Sequence, residues 1–243
     1  MSIPRQFYVN DLRVPFIAPW SREKQPRFSI ARRHPLLGGG ICYPDERRDD
    51  RWNQVLWVRM PAVRGVGKPF LAGVHALRQR QCISHMLCQI CGGSTYHSRP
   101  REPTKPSPSA DERHLFLVRA ATGVAITEGE RTASPPVHEA CAIEAVEDCP
   151  HLGKGATASL VEYSPNWGVA GIVYDPETLE PQPGDGTDGL TYVAYEDPRL
   201  PWTLAAREVV ALHGCTTVDL DELAARVAAA QMPVRRPVRR GTR

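Results

Sequence analysis

Two short pairs constrain this chain more than anything else in it: Cys88-Gln89-Ile90-Cys91, followed by two glycines, and His138-Glu139-Ala140-Cys141, preceded by Pro135-Pro136-Val137. In a Cys-x-x-Cys-Gly turn the two thiolates point to one side, because glycine permits the tight reversal that lets backbone amides donate to sulfur. The second pair is spaced i, i+3, which places both side chains on one face of the first turn of a helix. Together they make a Cys3His set of soft and borderline donors, the chemistry of a tetrahedral structural zinc site. The expected order of knuckle, hairpin and helix predicts a treble-clef-like zinc module, with Cys88, Cys91, His138 and Cys141 as ligands and one structural Zn2+ as cofactor. Four protein ligands leave no coordination position for water, so such an ion stabilises the fold and is not placed for Lewis-acid catalysis.

Cys149 competes for the fourth position, but it lies eight residues beyond Cys141. On a continuous helix that is about 12 Å along the axis, far more than two zinc–sulfur bonds of about 2.3 Å allow. A break in the helix would reopen the choice, as would His114, which precedes a strand-like run. A second metal cluster can be drawn from Cys82, His85, Cys149 and His151; ordinary packed or surface residues are the simpler reading of those four. The seven cysteines, an odd number with one tight pair, suit a reducing compartment better than a disulfide frame. No apolar run is long enough to span a bilayer, and the first residues lack the apolar core of a secretory signal. A cytoplasmic protein with no membrane association is expected.

Around the two pairs the chain reads as α+β. Residues 1–69 form a β-rich amino-terminal part, with extended pieces at 7–9, 27–30, 40–43 and 55–60 expected to build a small antiparallel sheet. Residues 70–151 form the zinc module: a helix over 70–87, the knuckle, an insertion at 98–111 whose Ser, Pro, Arg, Glu and Lys composition predicts disorder, strands from Leu115 and over 123–127, and a helix from Val137 that Pro150 ends. Residues 152–232 form a carboxy-terminal α/β part. Its strands fall at 159–163, 168–174 and 190–195, and its helices over about 202–212 and from Asp219, where Asp219 and Glu222 make a capping box. Residues 233–243 form a basic tail: five of its residues are arginine, against a net formal charge of +3 for the whole chain, so the body is slightly acidic. Electrostatic attraction to nucleic acid would rest on that tail and on Arg22, Lys24, Arg27, Arg32 and Arg33, and a solvated terminus is the simpler reading of the tail.

The chain resembles a family of uncharacterised actinobacterial proteins. The resemblance is carried by Leu87-Cys88-Gln89-Ile90-Cys91, Pro135-Pro136-Val137-His138-Glu139-Ala140-Cys141-Ala142, Cys149-Pro150-His151-Leu152, Trp202-Thr203-Leu204-Ala205-Ala206 and Cys215-Thr216-Thr217-Val218-Asp219-Leu220. The family usually carries cysteine where His138 stands, a zinc-compatible exchange that implies position 138 is a ligand. The resemblance implies the fold and the metal and assigns no activity.

Enzyme signatures are sparse: there is no Gly-x-Ser-x-Gly elbow, no phosphate-binding Gly-x-x-x-x-Gly-Lys loop and no His-Glu-x-x-His, and Gly65-Val66-Gly67 lacks the third glycine of a dinucleotide fingerprint. A divergent His-Asn-His-like nuclease would use His114 as base, yet His138 is committed to zinc and the region has no asparagine. Asp185, Asp188, Glu196 and Asp197, around a Gly-rich loop, are the nucleus of an enzyme site assembled from distant residues, although solvated turns explain them more simply. Arg51-Trp52 and Trp57-Val58-Arg59 set aromatic beside basic residues and could stack nucleobases; core packing competes, there and at Tyr192 and Tyr195. The leading expectation is a non-catalytic binding or regulatory protein with a protein or nucleic-acid partner, and an enzyme of unknown reaction is the alternative.

Overall fold

A computed structural model describes residues 3–26, 28–96, 113–119, 124–149, 152, 155–186 and 188–231. The insertion at 98–111, the basic tail at 233–243 and His151 lie outside the described residues. The amino-terminal third is made of tight hairpins. Strands β1 (Tyr8–Val9) and β2 (Leu12–Arg13) pair through Asn10 and Asp11, both in the left-handed region that Asn and Asp tolerate best. Strands β3 (Ala31–Arg32) and β4 (Ile41–Cys42) form a second pair, and β5 (Arg51–Trp52) and β6 (Val55–Trp57) a third. Then follow α1 (Ala76–Ser84), β7 (His114–Arg119), β8 (Arg131–Thr132), α2 (Glu139–Asp148), β9 (Ala156–Val161), β10 (Asn166–Val173), β11 (Thr191–Ala194), β12 (Thr203–Ala211), β13 (Thr216–Val218) and α3 (Leu220–Gln231). The fold is α+β, and none of its described helices is long and apolar enough to cross a membrane.

The larger sheet has the order β11-β10-β12-β6-β5, with β8 pairing the far end of β12; β6 runs parallel to β12, and every other pair is antiparallel. Helix α1 lies across it. Gln79 fixes that packing: its amide nitrogen donates to the carbonyls of Ala133 (2.7 Å) and Glu208 (2.9 Å), and its oxygen accepts the Glu208 N–H (2.9 Å). A smaller antiparallel sheet, β13-β9-β7, is covered by α2 and α3 over a core of Leu115, Leu117, Val137, Ala142, Ala158 and Leu223. The metal-ligand candidates sit in this second core.

Tertiary pairing overturns several local expectations. Residues 202–212, whose Leu-Ala-Ala-Arg-Glu run has high helix propensity, form β12 instead. Leu204, Ala205, Val209 and Val210 are fully buried in the sheet, with β10 on one edge of β12 and β6 and β8 on the other, and a strand apolar on both faces shows no alternation to read. The amino-terminal pieces do not join into one sheet: β1–β2 and β3–β4 remain two separate two-stranded pairs, and β5 and β6 add to the large sheet through β12. Residues 124–127 form no strand; β7 pairs instead with β9, which follows α2, so consecutive strands do not make the hairpin expected between knuckle and helix. The strand expected at 27–30 falls at Ala31–Arg32. The helix expected over 70–87 is confined to Ala76–Ser84, and Met86, left-handed at φ 47°, prevents its continuation toward Leu87.

Candidate metal centre

Helix α1 delivers the chain into the knuckle within three residues of its end. The knuckle is closed at its base by an antiparallel bridge between Leu87 and Ser94, by the Cys88 N–H donating to the Gly93 carbonyl (2.7 Å), and by the Gly92 N–H donating to the Cys88 carbonyl (2.7 Å). Gly92 has a φ of +74°, and a Cβ there would meet the Phe16 ring at 2.7 Å, so both conformation and space demand glycine. Thr95 staples the exit, its N–H and hydroxyl each donating to the Met86 carbonyl at 2.8 Å.

The residues between the two cysteines bring the second pair in. The Gln89 N–H donates to the Pro136 carbonyl (3.0 Å), its side-chain amide donates to the Pro135 carbonyl (3.0 Å), and the Val137 N–H donates to Leu115 on β7 (2.8 Å). Two prolines with no N–H to spend present carbonyls only, which Gln89 satisfies. His138 is thereby set as the N-cap residue of α2, with extended backbone, and Cys141 stands in the first turn. The sulfurs of Cys88, Cys91 and Cys141 and a ring nitrogen of His138 all lie within 4.8 Å of one another. For a tetrahedron with bonds of about 2.0 to 2.3 Å the ligand–ligand edges are about 3.5 to 3.8 Å, so the donors stand close to coordinating positions.

The surroundings fit a bound cation. His138 Nε2 donates to the Ser94 carbonyl at 2.8 Å, which leaves Nδ1 as the coordinating atom, 3.3 Å from Cys91 Sγ; such a second hydrogen bond fixes the tautomer of a metal-bound imidazole. The Gly93 N–H donates to Cys91 Sγ (3.4 Å) and the Arg13 guanidinium to Cys141 Sγ (3.7 Å). Three thiolates around a divalent ion carry a net charge of −1, which Arg13 offsets. Without an ion, hydrogen bonds with Cys141 and Cys88 push the Cys91 thiol down, those with Cys88 and Cys91 push Cys141 up, and hydrogen bonds to Cys88 and Cys91 push His138 up to about 10. The cluster thus holds protons that a cation must displace.

The other candidates fall elsewhere. Among the described residues no other group of three or more His, Cys, Asp or Glu side chains comes together to hold a metal, so Cys82, His85 and Cys149 do not assemble one. Cys82 is fully buried in α1, where burial and then the neighbouring Cys88 push its thiol up. Helix α2 runs unbroken to Asp148, which leaves Cys149 at its far end. His114 is buried, 2.8 Å from the Thr95 hydroxyl and edge-on to Tyr96. Asp188 pairs with Arg207 and Asp197 with Arg199, both at 2.7 Å, in solvent-facing turns. Arg13, Gln89 and Ser94, which complete the site, carry no signature in the sequence, because each acts through an atom that any arginine, amide or carbonyl offers. No protein-family model, curated protein or solved structure matches the chain.

Proposed function

We propose that this chain is a non-catalytic binding or regulatory module whose centre is folded around one structural zinc ion, in a cytoplasmic setting that keeps its cysteines reduced. The observation that carries the metal is the convergence of Cys88, Cys91, His138 and Cys141 from two elements that share no strand. Three sulfurs and an imidazole favour zinc over hard cations, which prefer oxygen, and a set of four leaves no vacancy at which a substrate could bind the ion. The metal's work in this reading is to lock α1, the knuckle and α2 together, so that the surrounding surface meets a protein or nucleic-acid partner. Against the nuclease alternative, the base expected for it, His114, is engaged with Thr95 beneath Tyr96.

Elemental analysis of the purified full chain tests the metal. About one zinc per chain is expected, with loss in Cys88→Ser and His138→Ala; native protein free of metal would overturn the reading. Chelation should also lower the thermal midpoint, because the binding free energy of a structural zinc is folding free energy.

A further inference from the structure

A second group of unsatisfied side chains stands where α1 crosses the large sheet, and it shares no residue with the metal centre. Between Ala205, which faces Gly171 across the sheet, and Arg207, which faces Ala170, the extra residue Ala206 makes a bulge in β12. The bulge resets the alternation, so that Ala205 and Glu208 both face α1; re-aiming a side chain inward is what such bulges do beside ligand sites. Glu208 is completely buried. One carboxylate oxygen accepts from the Tyr195 hydroxyl, and the other, Oε2, has no hydrogen-bond partner.

Facing that carboxyl is Arg80 of α1, half-buried, with no hydrogen bond or ion pair among the described residues. Its guanidinium lies instead against two indoles, 4.4 Å from the ring centre of Trp57 and 5.4 Å from that of Trp52. Trp57 is core, at 4% exposure, whereas Trp52 is 47% exposed at the tip of the β5–β6 hairpin. The adjacent Asn53 reaches the Tyr195 oxygen at 3.5 Å and ties the hairpin to the buried carboxyl. A partly desolvated guanidinium with no acceptor calls for an anion, and an exposed indole beside it calls for a planar ring on the same ligand. Burial pushes the Glu208 carboxyl up, which lessens its ability to neutralise Arg80 from within.

We propose that Trp52 and Arg80, backed by Glu208 and Tyr195, form a binding site for a nucleotide unit, its base stacked on the exposed indole and its phosphate held by the guanidinium. The unit comes either from a free nucleotide or from a single strand. The site goes beyond the zinc-held module and names a ligand for its surface.

Titration of the full chain with AMP, adenosine, inorganic phosphate and an eight-nucleotide single strand, followed by calorimetry, tests it. AMP is expected to bind about tenfold or more tightly than adenosine or phosphate alone, and Trp52→Ala and Arg80→Gln each to weaken it about tenfold, the loss of one stacked base or one phosphate contact. An octamer tighter than AMP assigns the site to single strands; equal affinities assign it to free nucleotides. Trp52→Phe, which keeps an aromatic face, retains most of the affinity. No binding of AMP or octamer by the wild type, or binding unchanged in Trp52→Ala and in Arg80→Gln, overturns the proposal. Zinc content measured on the same samples separates failure of this site from failure of the metal reading.

Discussion

Glu23 is completely buried, and two Arg78 nitrogens, each 2.7 Å from one of its oxygens, hold it there together with the Trp20 N–H at 2.9 Å. Burial alone would raise its pKa, but these hydrogen bonds outweigh it and hold the carboxyl below its ordinary value of 4.5. The stabilisation from Glu23 is therefore present above about that pH and lost as pH falls through the lowered folded value, so denaturant midpoints should drop as pH is taken below about 4.5. Arg78→Met leaves the buried carboxylate unpaired and should cost about 3 to 5 kcal/mol at neutral pH in urea unfolding. Glu208 behaves with the opposite sign: burial raises it, so its favourable contribution is complete below its unfolded value and lost as pH rises through the folded one. Glu208→Gln should flatten that part of the stability profile. At the candidate metal centre, His138→Cys puts a thiolate where the imidazole stands, and it is expected to keep stoichiometric zinc where His138→Ala loses it.

Among the elements, β10 depends most on having little side chain. Gly168 and Gly171 lie where β10 passes between β11 and β12, and a Cβ on Gly168 would fall 2.1 Å from the Val193 carbonyl oxygen. Gly168→Ala should thus destabilise by about 1 to 3 kcal/mol in thermal or urea unfolding, the range for overpacked positions. Helix α3 begins with one half of the expected capping box: the Asp219 carboxylate accepts from the N–H groups of Asp221 (2.8 Å) and Glu222 (3.0 Å), and Asp219→Ala should cost about 1 kcal/mol. The contrast with β12 is instructive. Asp219 speaks only to residues two and three positions ahead, whereas Thr203–Ala211 is made a strand by β10 and β6, the latter lying well over a hundred residues earlier in the chain. Propensity ranks its alanines as helix formers, but burial of both faces within the sheet decides.

For the whole molecule, the candidate metal centre is also where the amino-terminal segment is fastened. The Phe16 and Ile17 N–H groups donate to the carbonyls of Ile90 and Gln89 (2.8 and 3.2 Å), the Gln6 amide donates to the Cys91 carbonyl (2.9 Å), and Arg13 bridges Cys141 to Glu144 of α2 (3.0 Å from the carboxylate). Removal of zinc should consequently raise amide exchange in residues 6–17 together with 87–95, while β10 and β12 stay protected; protection of residues 6–17 that survives chelation would show this coupling to be absent. The cluster of Cys88, Cys91, His138 and Cys141 and the α+β class of fold could be read from the chain because donor spacing is local: each pair lies within one turn, and the spacing alone aims two donors to one side. The caps and tight turns could be read for the same reason. That β7 would pair with β9, that β6 would join β12 in parallel, and that a buried glutamate would be turned toward an arginine by a bulge were settled only in three dimensions. Those contacts draw their free energy from burying surfaces far apart in sequence, and no window of the chain contains both partners.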